Sequence, residues 1–140
     1  GPEPLEPDFD GNWLHHHSRH RTAPVKSFIM DSHIVVGVGN IYANEALFHA
    51  GIHPLRAAGR ISAARYDQLA TAIRAVLTAA IANGGTTLRD FVNSQGEPGY
   101  FQQTLRVYDR AGEPCRACGA KVKKIVLGQR STFFCPKCQK

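Results

Sequence analysis

The sequence predicts a mainly α-helical fold followed by a β-hairpin that is bounded by four cysteines. Apolar residues recur at helical spacing between Ser62 and Asn83, and a second helical pattern covers residues 41–50. Near the end of the chain, two β-prone segments lie between two Cys-x-x-Cys pairs. We therefore expect the helices to form the main core and the hairpin to depend on its cysteines.

Residues 1–10 contain three prolines and four acidic residues. This composition predicts an extended linker that enters the domain without joining its core. A short helix is expected between Phe9 and His20. It contains three consecutive histidines, His15 to His17, but consecutive residues on a helix point in different directions, so we do not expect them to share a metal ion.

A second short helix is expected over residues 22–30, with Thr22 as a candidate cap and Lys26 in its first turns. The next helical pattern begins after Asn40. It ends at Gly51, a residue type that favours helix C-termini because it adopts the left-handed conformation without strain.

Gly37, Gly39 and Asn40 lie just before this helix. The two glycines permit backbone turns that bulkier residues cannot adopt, and a helix start offers N–H groups and the positive end of the helix dipole to an anion. The Asn40 amide can add another donor. A phosphate site is one interpretation of this stretch, and a helix cap without a ligand is the other.

His53-Pro54 breaks the chain, and Ser62 is expected to cap the longest helix. The apolar residues of this helix recur at i, i+4, i+7, i+8 and i+11, as Leu69, Ile73, Val76, Leu77 and Ala80. A polar, glycine-rich loop follows over residues 86–101, and this composition is typical of a mobile functional loop.

The four cysteines form two pairs, Cys115 with Cys118 and Cys135 with Cys138, separated by sixteen residues. This spacing is typical of a four-cysteine zinc site, in which two pairs complete a tetrahedron of thiolates. Four sulfur ligands leave no position for water, so we expect one structural zinc ion. The alternative is two disulfides in an oxidising compartment; no signal peptide is visible, which favours zinc and a reducing cytoplasm.

The segments Val122–Leu127 and Ser131–Phe134 are β-prone, and they flank Gly128-Gln129-Arg130, which we interpret as the hairpin turn. Arg130 would then lie near the exposed tip. A hairpin anchored by zinc is rigid, so its tip can hold a guanidinium in a fixed place for a phosphate or a base edge. The alternative is a turn arginine that faces only solvent.

The 140 residues suit one domain with a modest core, or part of a larger protein. Seventeen basic and eleven acidic residues give a net charge of +6, which favours a polyanionic partner, with nucleic acid as the leading candidate. A membrane is not expected as a partner, because no apolar run approaches the roughly twenty residues of a spanning helix.

Several segments occur in the order found in one bacterial family. They are residues 36–45 (VGVGNIYANE), 51–54 (GIHP), 84–87 (GGTT), 98–101 (PGYF) and the final cysteine hairpin with Gln129-Arg130. With these segments in register over essentially the whole chain, the sequence resembles the formamidopyrimidine-DNA glycosylases.

This resemblance implies a helix-two-turns-helix domain, built from the helices that start near Ile41 and Ser62, followed by a four-cysteine zinc-finger hairpin. The family removes oxidised purines such as 8-oxoguanine and formamidopyrimidines from DNA, and then cleaves the abasic strand by elimination. The implied partner is double-stranded DNA with an oxidised base or an abasic site. The implied location is the bacterial cytoplasm, in association with the nucleoid.

The resemblance also implies roles for individual residues on the DNA-binding face. Asn40 matches the asparagine that holds phosphates at the lesion. Arg130 matches the finger arginine that contacts DNA opposite the flipped nucleotide, and it is expected to assist elimination in the full-length protein. Lys26 and Arg21 fall where the family has basic residues near the DNA backbone.

Three further matches concern the neighbourhood of the reaction rather than the DNA backbone. Glu45 matches a glutamate that lies close to the catalytic end of the partner lobe. Arg89 and Tyr100 belong to the segment that matches the loop closing over the extruded base.

The family's nucleophile is an N-terminal proline followed by a glutamate, and Pro2-Glu3 only imitates this pair. The nitrogen of Pro2 is an amide, because Gly1 precedes it, and so it lacks the nucleophilic lone pair of an amine. We therefore expect this chain to be the C-terminal half of a bifunctional glycosylase, without the N-terminal catalytic lobe and inactive by itself. The expected division is a linker from that lobe at 1–10, a helical DNA-binding domain at 11–108 with a lesion loop at 86–101, and a zinc finger at 109–140.

Two alternatives remain at this stage. A zinc-ribbon module that docks protein or RNA without catalysis would explain the cysteines and the charge, but not the Gly39-Asn40 helix start. A relative that prefers oxidised pyrimidines would share the same domains; residues 86–91 and 98–101 favour the purine branch.

Overall fold

The computed structural model describes residues 1–82 and 105–140. In these two ranges the helices and strands are α1 (Gly11–Ser18), α2 (Val25–Met30), α3 (Asn40–Ala50), α4 (Ala63–Ala82), β1 (Lys123–Leu127) and β2 (Arg130–Phe134), with a short 3-10 turn at Ala58–Arg60. The predicted mainly α-helical fold with a terminal hairpin is confirmed. The proposed lesion loop with Arg89 and Tyr100 lies outside the described residues.

The ends of the helices follow local side-chain chemistry. Asp10 accepts a hydrogen bond from the backbone of Trp13 and so caps α1, and Ser62 caps α4 by accepting from the backbone N–H of Arg65. Gly51 ends α3 with φ of 72°, as predicted. The predicted cap at Thr22 is wrong: α2 begins at Val25 after Pro24, whose ring fixes a backbone angle suited to a helix start.

The main core lies between α4 and the two helices that pack on it, α1 and α3. The apolar stripe predicted for α4 faces this core, and its buried residues are Leu69, Ile73, Val76 and Ala80. In the described part of the chain no helix is long and apolar enough to cross a membrane.

The N-terminal segment joins this core, so the prediction that residues 1–10 lie outside it is wrong. Phe9 is fully buried. The guanidinium of Arg74 on α4 donates hydrogen bonds to the carbonyl oxygens of Pro4, Glu6 and Phe9. One cation thus satisfies the carbonyls of a proline-rich segment that cannot form a helix, and it holds that segment against α4.

The hairpin turn consists of Gly128 and Gln129 alone, with φ of 56° and 65°. A two-residue turn with two positive φ angles matches the right-handed twist of the strands, and glycine adopts such an angle at little cost. Arg130 therefore begins β2 and pairs with Leu127, instead of lying in the turn as predicted. It remains exposed beside the tip.

A second, smaller apolar cluster holds the hairpin. It contains Val107, Val122 and Phe133 with two of the cysteines, and Phe48 of α3 packs against it. The finger is therefore seated on the helix whose first residue is Asn40.

Candidate functional site

The four cysteine sulfurs form one compact cluster, with all four atoms within 4.8 Å of one another. The Cys115 and Cys138 sulfurs are 3.9 Å apart, and those of Cys118 and Cys135 are 3.4 Å apart. A tetrahedron of Zn–S bonds of about 2.3 Å places sulfurs about 3.8 Å apart, whereas a disulfide needs about 2.0 Å. The donor set therefore fits one structural zinc ion.

Backbone N–H groups surround this cluster. The N–H of Ala117 donates to the Cys115 sulfur at 3.4 Å. The N–H of Cys138 donates to the Cys135 sulfur at the same distance. Such donors stabilise the charge of a zinc-bound thiolate and fix the direction of its sulfur. The cluster is closed by protein on these sides, as expected of a structural site.

The finger is also fastened to the turn between α3 and α4 through Gln139, which is 1% exposed. Its side-chain oxygen accepts from the N–H of Cys135, and its nitrogen donates to the carbonyl of Ile52. Arg56 donates to the carbonyl of Lys140. The second cysteine pair and the helical domain therefore hold each other in place.

Lys26 lies between α2 and the hairpin and is only 1% exposed. Its ammonium donates to the hydroxyl of Thr132 at 2.6 Å and to the carbonyl of Ser131 at 3.4 Å. Burial, and then the nearby Arg130 cation, lower the pKa of Lys26 to about 8. A single anion at this position would compensate both effects.

Arg130 and Lys26 line the same open groove, which has a volume of about 250 Å³. Asp31 is also on this groove, but its carboxylate accepts hydrogen bonds from the backbone and ring of His33. Within the described residues, the Arg130 guanidinium makes no ion pair. The groove is therefore lined by two cationic groups, the exposed Arg130 and the buried Lys26.

Asn40 is the first residue of α3, and Gly39 precedes it in extended conformation. The predicted helix start is thus confirmed to within one residue. The Asn40 amide nitrogen donates to the Ser131 carbonyl at 3.0 Å, and its buried oxygen has no hydrogen-bond partner among the described residues. Asn40 thus lies at the positive end of the helix dipole, and Lys26 donates to the same Ser131 carbonyl.

Lys26, Asn40 and Arg130, three of the four residues predicted to bind DNA, are therefore brought together at the start of β2. The fourth, Arg21, follows α1. Its guanidinium donates to the His17 carbonyl at 2.8 Å and lies over the Phe28 ring, 5.5 Å from the ring centre. No hydrogen bond in the described part of the chain joins Arg21 to the groove, and its role on DNA stays a prediction.

Glu45 is 3% exposed and is fully engaged inside the chain. Its carboxylate accepts hydrogen bonds from the backbone N–H groups of Arg106, Val107 and Tyr108, at 2.7 to 2.9 Å. It therefore anchors the segment that leads into the finger. Its expected role beside a partner lobe stays a prediction.

Sequence reasoning missed two buried polar residues of this region, Asn44 and Thr132. Asn44 bonds both to the Asn40 carbonyl and to the N–H of Phe133. A signal for Asn44 is present, since a polar residue on a helix face that is otherwise apolar requires a buried partner. No comparable signal exists for Thr132, because its partner, the Lys26 ammonium, is more than a hundred residues away in sequence.

Two family models match the chain. Residues 1–92 match the model described as the formamidopyrimidine-DNA glycosylase H2TH domain, and residues 112–140 match the zinc finger found in FPG and IleRS. The formamidopyrimidine-DNA glycosylase of Marinobacter nauticus is 65% identical over all 140 residues, which cover 52% of that protein. The chain thus spans about half the length of the curated relatives that it matches.

Solved structures agree with this assignment. The Lactococcus lactis Fpg bound to DNA with an abasic site has a TM-score of 0.89 and 36% identity, covering the whole chain and 51% of that protein. Further complexes of the same protein contain DNA with Fapy-dG or with an oxidised pyrimidine. The MutM (Fpg) protein of Thermus thermophilus has a TM-score of 0.87 and 41% identity, covering 99% of this chain and 53% of that one.

The two domain matches follow the order of the helical part and the cysteine hairpin, and the close relative is similar over every residue of the chain. The predicted family resemblance and the helix-two-turns-helix fold are confirmed. This chain belongs to the formamidopyrimidine-DNA glycosylase family.

Proposed function

We propose that this chain is the DNA-binding half of a bifunctional base-excision-repair glycosylase, and that it binds duplex DNA at an oxidised purine or an abasic site. The observation that carries this proposal is the convergence of Lys26 and Asn40 on the Ser131 carbonyl, next to Arg130. Three donors from two domains form one cationic surface there. The net charge of +6 supports the same partner.

The arrangement suits a distorted duplex better than a straight one. An enzyme that acts on a base must extrude the nucleotide and then hold a bent backbone, for which it needs donors in fixed positions. Lys26 and Asn40 are held by hydrogen bonds to the hairpin, so little side-chain entropy remains to be lost on binding a phosphate. Phosphate contacts of this kind position the protein and do not read sequence.

The substrate class is proposed from the relatives. DNA with an abasic site or with Fapy-dG is bound by the Lactococcus lactis protein, and we extend this to duplexes with 8-oxoguanine or formamidopyrimidines for the full-length protein. The same relative also forms a complex with DNA that contains an oxidised pyrimidine, so a preference for oxidised pyrimidines is the alternative. We extend the proposal to location: a protein that repairs DNA would act in the bacterial cytoplasm, with the nucleoid.

We assign base removal and strand cleavage to the N-terminal catalytic lobe of the family, whose residues are not among these 140. The N-terminal proline and glutamate of the family have no counterpart here, since the nitrogen of Pro2 is an amide. We therefore propose that the chain alone binds zinc and DNA and releases no base. In the full-length protein Arg130 would assist elimination, and Glu45 would support the contact with the catalytic lobe.

Fluorescence anisotropy at several salt concentrations tests this function. The probes are a duplex with an abasic-site analogue, an intact duplex and a single-stranded RNA. We expect the tightest binding for the abasic duplex, with an affinity that falls steeply as salt rises. Equal binding of all three probes, or a preference for the RNA, would favour the zinc-ribbon docking module and would overturn the proposal.

A second measurement tests the division of labour. The pure chain is incubated with a duplex that contains 8-oxoguanine, and base release and strand cleavage are followed on a gel. No product is expected. Product above that of a heat-denatured control would show that the chain carries catalytic groups of its own.

A further inference from the structure

The free edge of β2 faces α3, and two asparagines on α3 bind it. Asn40 donates to the carbonyl of Ser131, and Asn44 accepts from the N–H of Phe133 at 2.7 Å. Ser131 and Phe133 are two residues apart in a strand, so their outward backbone groups lie on the same edge. On this edge α3 takes the place that a third strand would have.

Both elements bring successive groups to the same side at similar intervals, so two side chains one helical turn apart can reach one strand edge. Asn40 and Asn44 are four residues apart on a helix, a rise of about 6.0 Å. Ser131 and Phe133 are two residues apart on a strand, a rise of about 6.6 Å. A shift of the hairpin by one residue would present the wrong backbone groups to both amides.

Asn44 makes one additional bond that ties this contact to the helix start. Its side-chain nitrogen donates to the Asn40 carbonyl at 2.8 Å, while its oxygen holds the Phe133 N–H. The amide therefore uses its donor on the helix and its acceptor on the strand. Of the side chains of this shape, only an amide provides both at neutral pH: leucine provides neither, and aspartate lacks the donor.

We propose that Asn44 is a positioning residue for DNA binding: it fixes the register of the hairpin on α3, so that Lys26, Asn40 and Arg130 bind the backbone as one unit. This inference rests on the proposed DNA-binding function. Asn44 is itself only 1% exposed, so its proposed role is indirect. It acts through Phe133, three residues from Arg130 on the same strand.

The structural part of the inference is tested without DNA. Amide hydrogen exchange of Phe133 is measured by NMR in the zinc-loaded chain and in Asn44→Ala. We expect exchange at Phe133 to become faster by about tenfold or more, since the bond to Asn44 is lost. The N–H of Cys135, which is held by Gln139, is the internal control and should keep its rate. Unchanged protection at Phe133 would overturn the inference.

The functional part is a double-mutant comparison on the abasic duplex. If Asn44 positions the hairpin, Arg130→Ala should lower the affinity of the otherwise unmodified chain about tenfold. In the Asn44→Ala background the same substitution should cost less than about threefold, because Arg130 is then no longer held in place to contact the DNA. Leu14→Ala, which truncates a buried core residue of α1, is the destabilised control and should keep the full Arg130 effect. An undiminished effect of Arg130→Ala in the Asn44→Ala background would contradict the inference.

A pH-dependent rescue separates positioning from general destabilisation. In Asn44→Asp, a protonated carboxyl group can donate to the Asn40 carbonyl and accept from Phe133, whereas the carboxylate cannot donate. The affinity of Asn44→Asp relative to that of the unmodified chain should therefore rise on acidification from pH 8 to pH 5.5. A constant ratio across this range would count against the inference, and this comparison stays informative if Asn44→Ala is poorly folded.

The two proposals fail in different ways. If the unmodified chain shows no preference for the abasic duplex and Arg130→Ala changes nothing, the proposed function is wrong, while the Phe133 exchange result still stands on its own. If those results are as expected but Asn44→Ala changes neither exchange nor the Arg130 effect, the function holds and the role of Asn44 is wrong.

Discussion

The side-chain nitrogen of Asn40 lies 3.0 Å from the carbonyl oxygen of Ser131, so the first residue of α3 is joined directly to the zinc-finger hairpin. Lys26 reaches the same oxygen from α2. The two donors are on the helical domain and their shared acceptor is on the finger. The proposed phosphate-binding surface therefore exists only while the finger is folded.

Removal of zinc should abolish DNA binding and leave most of the helical domain intact. Without the metal nothing joins the two cysteine pairs, and a two-stranded hairpin is marginal by itself. We expect chelation to remove the β-hairpin signals in NMR spectra and the binding of the abasic duplex together, while helical circular dichroism is largely kept. Re-addition of zinc should restore both. Undiminished affinity after complete zinc removal would show that Arg130 has no part in binding.

Arg130→Ala and Asn40→Ala should weaken DNA binding in two distinguishable ways. Loss of a cation that neutralises one phosphate lowers the slope of log affinity against log salt by about 0.9, whereas loss of a neutral amide leaves the slope unchanged. We expect a lower affinity for both variants and a smaller slope for Arg130→Ala alone. Equal slopes for all three proteins would mean that Arg130 does not contact a phosphate.

Arg21→Ala is measured in the same series. The Arg21 guanidinium is already engaged with the His17 carbonyl and the Phe28 ring. If it also contacts the DNA backbone, as the family resemblance implies, the salt slope falls as it does for Arg130→Ala. An unchanged slope would reduce its role to holding the segment between α1 and α2.

DNA affinity should fall as pH rises above about 8 because of Lys26. Burial and Arg130 lower the pKa of this ammonium to about 8 in the free chain. A phosphate in the groove favours the protonated form, so binding above pH 8 must take up a proton, and this costs affinity. Titration from pH 6.5 to 9.5 should show the loss in the unmodified chain. Lys26→Met should bind DNA more weakly, and its affinity should depend less on pH. The matched surface variant Lys124→Met should show the same dependence of affinity on pH as the unmodified chain.

The parts of this molecule that the sequence predicts correctly are those set by local chemistry. The cysteine pairs fold their own backbone around a metal, Ser62 caps its own helix, and Gly51 ends α3 because glycine accepts a positive φ. Each of these signals involves residues only a few positions apart. They are enough to place both domains and the metal site.

The errors and omissions arise where distant groups decide the structure. The burial of Phe9 depends on Arg74, a cation sixty-five residues away. The bond between Asn44 and Phe133 spans eighty-nine residues and involves a backbone group, which no residue type reveals. The hairpin turn was predicted one residue too long, because Gln129 adopts a positive φ that its side chain does not favour. Tertiary contacts decide the first two cases, and the pairing of the two strands on either side of the turn decides the third.

Glu45→Gln should destabilise the chain even though the two side chains have the same shape. The carboxylate accepts three backbone N–H groups, whereas an amide offers one oxygen and turns an NH₂ group toward donors. Leaving a buried N–H without a partner costs about 1–3 kcal/mol. We expect a fall of this size in the free energy of unfolding, measured with urea. The matched control is Glu113→Gln, whose exposed carboxylate lies 3.7 Å from Arg110 and should contribute little; equal effects of the two variants would contradict the anchoring role of Glu45.

His53 should make the folded chain less stable under mildly acidic conditions. Its Nδ1 accepts a hydrogen bond from the N–H of Leu55, and its ring packs on Phe134 of the finger at 4.5 Å between ring centres. Burial, and then the charge of Arg56, lower the pKa of His53 below its usual 6.5. The unfolded chain therefore binds more protons than the folded chain just below pH 6.5, so the contribution of His53 to stability is complete above that pH and is lost as pH falls.

The measurement is urea unfolding of the zinc-loaded chain between pH 5.5 and 8. In His53→Asn the amide oxygen can accept from Leu55 without titrating. As pH falls, the free energy of unfolding should therefore decrease less in the variant than in the unmodified chain. His17, whose pKa is also lowered by burial, is present in both proteins and cancels in this comparison. A pH-independent difference would show that His53 does not titrate differently in the folded and unfolded chain, and that its contact with the finger is apolar packing alone.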